Sequence, residues 1–334
     1  MTNPTHRNET TVAIPTGDLT VSWQLELGNT IRTLTAGGEQ IYAGTSNGLV
    51  AVEDNGTERW RIDGKASGAT PAHCDEVVYV PIWRENPGLH AVDTQTGETM
   101  WHYSTENPRS PCVVGDTVYG AGRDSVFALD RTSGEQIWLC EVSGSVDLAV
   151  ADGRVFSGSA ELEMYAIDAG SGERLWTANI DSMPAEGGAT VVDGILYSTG
   201  HAGLGPERQT YAASAETGAL EWVSGDIGSD SGAPAVVDGV VYTADWGLSA
   251  LDADSGDVLW QYGDETLFNP SPLIVDNTVF VGGRDAQIRA VNATDGTERW
   301  TLETAGEVKA PPVTADGTLY VAGGSHLYAL SADE

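Results

Sequence analysis

Tryptophan beside arginine is the combination in this chain best suited to recognition chemistry. Trp83-Arg84 and Trp246 stand outside the spacing that the other eight tryptophans obey. An exposed indole flanked by guanidinium groups is the type of anchor that holds a protein partner. Arg123-Asp124, Arg284-Asp285 and the loop from Gly200 through His201 and Arg208 to Gln209 share this mixed character. Other chemistry has less to work with. Cys74, Cys112 and Cys140 are widely spaced with no CxxC pair, and read as buried thiols outside any disulfide or metal site. The acidic run Asp252 to Asp257 has a hint of calcium-loop spacing but reads as a structural turn. Nucleophile elbow, Walker loop, zinc pair and dinucleotide glycine fingerprint are all missing from the sequence.

The elements that position these residues are repeats. Trp23, Trp60, Trp101, Trp138, Trp176, Trp222, Trp260 and Trp300 follow one another at intervals of 37 to 46 residues. A unit of that length is too short for a domain and must stack on its neighbours to bury its apolar face. Within each unit come a short apolar run, a tight turn such as Asp152-Gly153 or Asp238-Gly239, and an aliphatic-aromatic pair such as Val78-Tyr79. An Ala-hydrophobic-Asp strand, a Thr/Ser-Gly turn and the Trp strand complete the unit. The Asp-Gly pairs suit the positive-φ turns of antiparallel hairpins. Four short strands per unit, with no helical period, predict an all-β fold, an eight-bladed β-propeller of four-stranded antiparallel blades. The strand around Trp23 completes a last blade begun by His326 to Leu330, which closes the ring without an exposed edge. Residues 1–17 read as a flexible polar tail and 18–334 as the single propeller.

Seven of the eight tryptophans have a glycine four residues earlier, and six have an alanine ten residues earlier. This predicts an indole wedged between blades, with Gly permitting close approach and the Ala carbonyl accepting the indole N–H. The Asp opening each turn is expected to fold its carboxylate onto nearby backbone N–H groups.

The phrase Ala-hydrophobic-Asp-x-x-Thr/Ser-Gly-x-x-x-Trp, as in Ala91 to Trp101, Ala128 to Trp138, Ala166 to Trp176 and Ala250 to Trp260, resembles the tryptophan-docking repeat of quinoprotein (PQQ) propellers and of their non-catalytic BamB-like relatives. The resemblance spans Asp18 to Glu334. WD40 repeats fit badly because no Trp is followed by Asp, and kelch repeats because paired glycines do not recur in register. The non-catalytic branch implies a scaffold that binds a protein or peptide. The catalytic branch implies PQQ over a calcium ion in the central channel, with Glu186 and Asn269 at positions for two oxygen ligands. The chain lacks that branch's vicinal cysteines and long insertions, so the expected reading is a scaffold without cofactor.

The loops between strands two and three, and those entering each new blade, vary in length on one face, which marks that face as the binding side. It is expected to present Trp83, Arg84, Arg123, His201, Arg208, Trp246 and Arg284. The channel mouth is expected to be ringed by Arg32, Ser67, Arg109, Ser145 or Asp147, Glu186, Asp230 or Ser231, Asn269 and Lys309.

Composition bounds the partners. The formal charge is -33, with 49 acidic and 16 basic residues, and the only lysines are Lys65 and Lys309. Nucleic acid and anionic membranes are poor partners for such a surface. No apolar run reaches membrane-spanning or signal-peptide length, so a cytoplasmic, monomeric ring is the expectation. Lysine depletion with abundant acid suits a cytoplasm kept at molar salt, where the Debye length of roughly 3 Å screens the self-repulsion. Dialysis into low salt is therefore expected to abolish the far-UV β-sheet circular dichroism signal; an unchanged spectrum contradicts a salt-dependent fold.

Overall fold

A computed structural model describes residues 19–332, except 65–68, 85, 160–161, 181, 203–207, 226, 228–231 and 269–270. Every regular element among the described residues is a strand. Ile31–Gly37, Gln40–Thr45, Gly48–Glu53 and Glu58–Asp63 pair in that order to make the first blade. Blades two to seven follow along the chain, the second running from Ala72–Cys74 to Thr99–Ser104 and the seventh from Leu273–Val275 to Glu298–Glu303. In the eighth, Val313–Ala315, Thr318–Gly323 and His326–Ala332 accept Leu19–Glu26 as the outer strand. Leu19 pairs with Ala332 and Glu26 with His326, so both ends of the chain share one sheet. First strands of successive blades touch one another at seven of the eight blade boundaries, which places them around the central axis.

The sixth blade departs from the expected four strands. Val240–Asp252 is one continuous strand that takes the place of the second and third, between Ala235–Val237 and Val258–Leu267. The link at Asp245–Gly247 is so short that the pairing runs through it, with register shifts around Trp246 and Leu248.

The recurring residue types form one row across each blade. In the second blade Tyr79 pairs with Ala91, and Ala91 with Trp101. Tyr119-Ala128-Trp138 and Phe156-Ala166-Trp176 repeat the row. The alanine is small enough for the flanking rings to meet above it. All eight blades show the contact, with centroids between 5.7 and 6.1 Å apart and tilted planes, the geometry that aromatic quadrupoles favour.

Seven of the eight indoles then reach the next blade. The Trp23, Trp60, Trp101, Trp138, Trp176, Trp222 and Trp260 indoles donate to the carbonyls of Asp54, Thr94, Arg131, Ala169, Ala215, Ala253 and Ala293 at 2.6–3.2 Å. The acceptor is thus not the strand-three alanine, as the sequence suggested, but the residue three further on in the following blade. The alanine carbonyl is committed to its own sheet, whereas the turn carbonyl points outward and has lone pairs to spare. At Ala169, Ala253 and Ala293 the hydroxyls of Tyr119, Tyr197 and Tyr242 donate to the same oxygen.

Beneath each of these seven indoles lies the next blade's turn glycine. A Cβ on Gly134 would come within 2.6 Å of Trp101, and one on Gly172 within 2.7 Å of Trp138. The turn is shaped by its aspartate: Asp130 Oδ1 accepts from the Thr132 and Ser133 N–H groups and the Ser133 hydroxyl, and Asp93, Asp168 and Asp252 repeat the pattern. Those backbone and hydroxyl donors hold the carboxyls of Asp93, Asp130 and Asp252 below the usual carboxylate range. The Asp252 segment is accordingly a docking turn. Hairpin turns on the same face follow expectation, with positive φ at both residues of Asp152-Gly153, Asp193-Gly194, Asp238-Gly239 and Asp316-Gly317.

Of the cysteines, only Cys112 is buried, its thiol donating to the Leu148 carbonyl at 3.4 Å. Burial pushes that thiol up. Cys74 and Cys140 are partly covered, because they lie at a strand end and on an outer strand.

Gly134 and Gly153 share φ 72°, but an added Cβ at Gly153 meets nothing within 4 Å. Both alanine substitutions strain the backbone, and only Gly134→Ala drives a methyl into an indole. Gly134→Ala is expected to be about 1–3 kcal/mol more destabilising than Gly153→Ala in denaturant melts. Equal losses would mean that the indole contact is not tight.

Candidate functional site

The face opposite the docking turns carries the links between strands two and three and the connections between blades. Backbone bonds latch these loops to one another: Arg123 N–H donates to Glu106 O (2.8 Å), Arg284 N–H to Leu267 O (3.0 Å) and Phe268 N–H to Asp245 O (2.7 Å). The loops are therefore tied across blade boundaries.

Both non-docking tryptophans lie here with their rings open to solvent. Trp83 is 43% exposed and Trp246 is 60% exposed. The Trp83 indole donates to Pro108 O in the next blade at 3.1 Å, which fixes the ring while leaving its face open. Two histidines brace the same loop. His90 Nε2 is 2.9 Å from Asn86 O, His102 Nε2 is 3.3 Å from Pro87 O, and the imidazole centroids are 4.4 Å apart. Burial pushes the His90 imidazole down, favouring its neutral form. Asn86 adopts φ 79° at this bend.

The cations of the face divide into two groups. Arg123 pairs with Glu106 at 3.7 Å, both well exposed, and Arg284 and Lys309 bracket Glu307 at 3.2 and 3.1 Å. Exposed pairs of this kind contribute little to stability. Arg208, expected on the surface, instead folds onto the buried carboxylate of Asp245 and ties blade five to blade six. In register Arg208 lies opposite His201, whose side chain is outside the described residues. Asp285 pairs with Arg289 through both guanidinium nitrogens, and that guanidinium holds the Asp285 carboxyl below the usual range. Arg289 also lies over Phe268, 5.4 Å from its centroid. In contrast, no ion pair joins Arg32, Arg84 or Arg109 to a carboxylate among the described residues. Asp245, Phe268 and the His90–His102 brace were missed by sequence reasoning. The only hint was that Asp245 adjoins an off-pattern tryptophan.

An open cleft between blades three and four is lined by Asp124, Glu141, Glu163, Tyr165 and Arg174, among others. Its polar groups are mutually engaged. Arg174 stacks over Tyr165 at 4.6 Å and donates to Glu141 O, and Tyr165 donates to Glu163 at 2.7 Å.

The channel ring needs a register correction. First-strand pairing opposite the second-strand aromatics aligns Thr35, Cys112, Ala149 and Val313. Arg32 and Arg109 then stand three residues before that level, Asp147 two, and Ser145 and Lys309 four. Bulges between Ile31 and Thr33, Ser145 and Leu148, and Pro184 and Ala189 offset the strands. Ser67, Asp230, Ser231 and Asn269 lie outside the described residues, as does the side chain of Glu186. Among described positions, Thr70 N–H donates to Ser110 Oγ, and Ser110 gives its N–H and hydroxyl to the two oxygens of Asp147. Asp147 and the Lys309–Glu307 pair are thus already satisfied by protein groups.

These features define a tryptophan-docked eight-bladed propeller with one uniform and one variable face. Four overlapping stretches, residues 9–145, 85–186, 160–275 and 265–334, match the family model described as outer membrane protein assembly factor BamB, and the chain belongs to that family of PQQ-like repeat propellers. It is 24% identical over 316 residues to the outer membrane protein assembly factor BamB of Yersinia pestis, covering 89% of this chain and 70% of that protein. Other curated relatives match over shorter stretches, and the chain spans only 24% and 20% of the length of two of them. The crystal structure of BamB from Moraxella catarrhalis superposes with a TM-score of 0.76 at 20% identity, over 94% of this chain and 100% of that one. A quinohemoprotein alcohol dehydrogenase from Pseudomonas putida gives 0.77 at 15% identity, over 98% and 79%. These structural likenesses concern the fold.

If the Arg208–Asp245 pair holds two blades together, Asp245→Asn and Arg208→Gln are expected to be non-additive, with a coupling of about 0.5–3 kcal/mol in a double-mutant cycle read by denaturant melts. Additive losses contradict that role.

Proposed function

We propose that this protein is a non-catalytic scaffold that binds a protein or peptide partner on its variable face. The observation that carries the reading is the exposure of Trp83, next to Arg84, and of Trp246, next to the Arg208–Asp245 pair, on that face, while the eight repeat tryptophans serve the blade contacts. Membership of the BamB family supports it, because relatives in that family are named as assembly factors. The opposite face carries docking aspartates whose carboxylates are spent on their own turns. The cytoplasm at high salt remains the proposed setting, on the strength of composition alone.

Two measurements test the scaffold reading. Affinity capture in molar salt is expected to yield a partner that Trp83→Ala/Trp246→Ala loses, while Ile137→Ser on the exposed outer rim retains it. Capture that survives the double substitution contradicts the assigned face. Titration with PQQ and calcium is expected to leave absorbance and melting temperature unchanged, and a saturable shift would favour a quinoprotein.

A further inference from the structure

Trp83 belongs to the second blade and Trp246 to the sixth. Four steps around an eight-fold ring is half a turn, so the two links that carry the exposed indoles lie on opposite sides of the channel mouth. Both occupy the same structural position, the link between a blade's second and third strands. No repeat rule demands tryptophan there. The first blade has Ser46-Asn47 at that link and the eighth Gly324-Ser325.

Charge says what can lie between them. Of the cations on this face, Arg32, Arg84 and Arg109 have no ion pair among the described residues, and they belong to the first three blades, on the Trp83 side of the mouth. Arg84 and Arg32 are exposed, and Arg109 Nε is buried without a hydrogen-bond partner among the described residues. Two described acids near the mouth are engaged, Asp147 by Ser110 and Glu307 by Arg284 and Lys309, whereas Asp124 in the corresponding link of the third blade is exposed. On a chain of net charge -33, this is a local surface that favours carboxylates, and screening confines the opposing charge of the far face to short range.

We propose that the two tryptophans are the paired anchors of one extended acidic polypeptide segment that crosses the channel mouth. An aromatic side chain near each end of the segment stacks on Trp83 and Trp246, and its carboxylates between them meet Arg84, Arg109 and Arg32. This rests on the scaffold reading and deepens it by naming the partner's chemistry and its two-point attachment. Joining two weak contacts through a spacer of matched length makes the second intramolecular, which raises affinity without any new contact.

The test uses fluorescein-labelled synthetic peptides and the full chain, in salt at which the ring stays folded. The peptides carry one aromatic near each end, separated by Asp/Glu spacers of increasing length; half-peptides carry a single aromatic, and matched controls have Asn/Gln or Lys spacers. Anisotropy is expected to show an optimum spacer length, with the two-ended acidic peptide binding about 100-fold tighter than either half. Trp83→Ala and Trp246→Ala are each expected to weaken it by about 30-fold. Arg84→Gln/Arg109→Gln is expected to erase the preference for acidic over Asn/Gln spacers. A two-ended peptide no tighter than its better half overturns the crossing, as does dependence on only one tryptophan; either result leaves a one-sided scaffold standing. Equal or tighter binding of the Lys-spaced peptide, or no binding by any peptide, overturns the assigned chemistry. The length optimum is read on the unaltered protein, so it stands whether or not the variants fold.

Discussion

One contact recurs through this molecule: an indole from one blade lies on the turn glycine of the next and donates its N–H to a carbonyl in that turn. A four-stranded blade cannot bury its apolar faces alone, and packing without direction would let blades slide. The indole supplies area, and the hydrogen bond supplies register. The glycine must be glycine twice over, because its φ is positive and because a Cβ there would enter the ring above it. The aspartate completes the device by filling one oxygen with donors from the turn itself, which presents the carbonyl at a fixed angle.

Because docking is confined to one face, the other is released from repeat constraints. Its loops differ from blade to blade and are latched individually, by Arg123 to Glu106, Phe268 to Asp245 and Arg284 to Leu267. Trp83 is held there by its own N–H and by two imidazoles beneath its loop, so the ring is both exposed and fixed. An exposed ring that is already positioned loses less freedom on meeting a partner. The same eight-fold frame that closes the sheet with Leu19–Glu26 also sets Trp83 and Trp246 half a turn apart.

The architecture was legible in the chain because it is written eight times. Repetition averages out local noise, so the Trp spacing, the Asp-Gly hairpins and the closure by the strand around Trp23 could all be read directly. What repetition cannot show is which backbone atom completes a contact. The alanine looked like the acceptor because it recurs, yet its recurrence reflects the space two rings need above it, and the acceptor carbonyl belongs to positions as different as Thr94, Arg131 and Ala253. The candidate site was less legible. Trp83 and Trp246 announced themselves as exceptions to the pattern, but Arg208 turned inward to an aspartate 37 residues away that no spacing rule connects to it. The channel register failed for a physical reason as well: bulges in the first strands shift side chains between levels, and bulges leave no reliable mark in sequence.

Indole hydrogen exchange tests the central contact most directly. In a spectrum of the protein labelled with ¹⁵N at its tryptophan indoles, the resonances of Trp23, Trp60, Trp101, Trp138, Trp176, Trp222 and Trp260 are expected to exchange slowly, each held by a neighbouring blade, while Trp246 exchanges at close to the rate of a solvated side chain. Exchange of those seven at the rate of Trp246 would show that the blades are not joined through their indoles, and would contradict the account at its root.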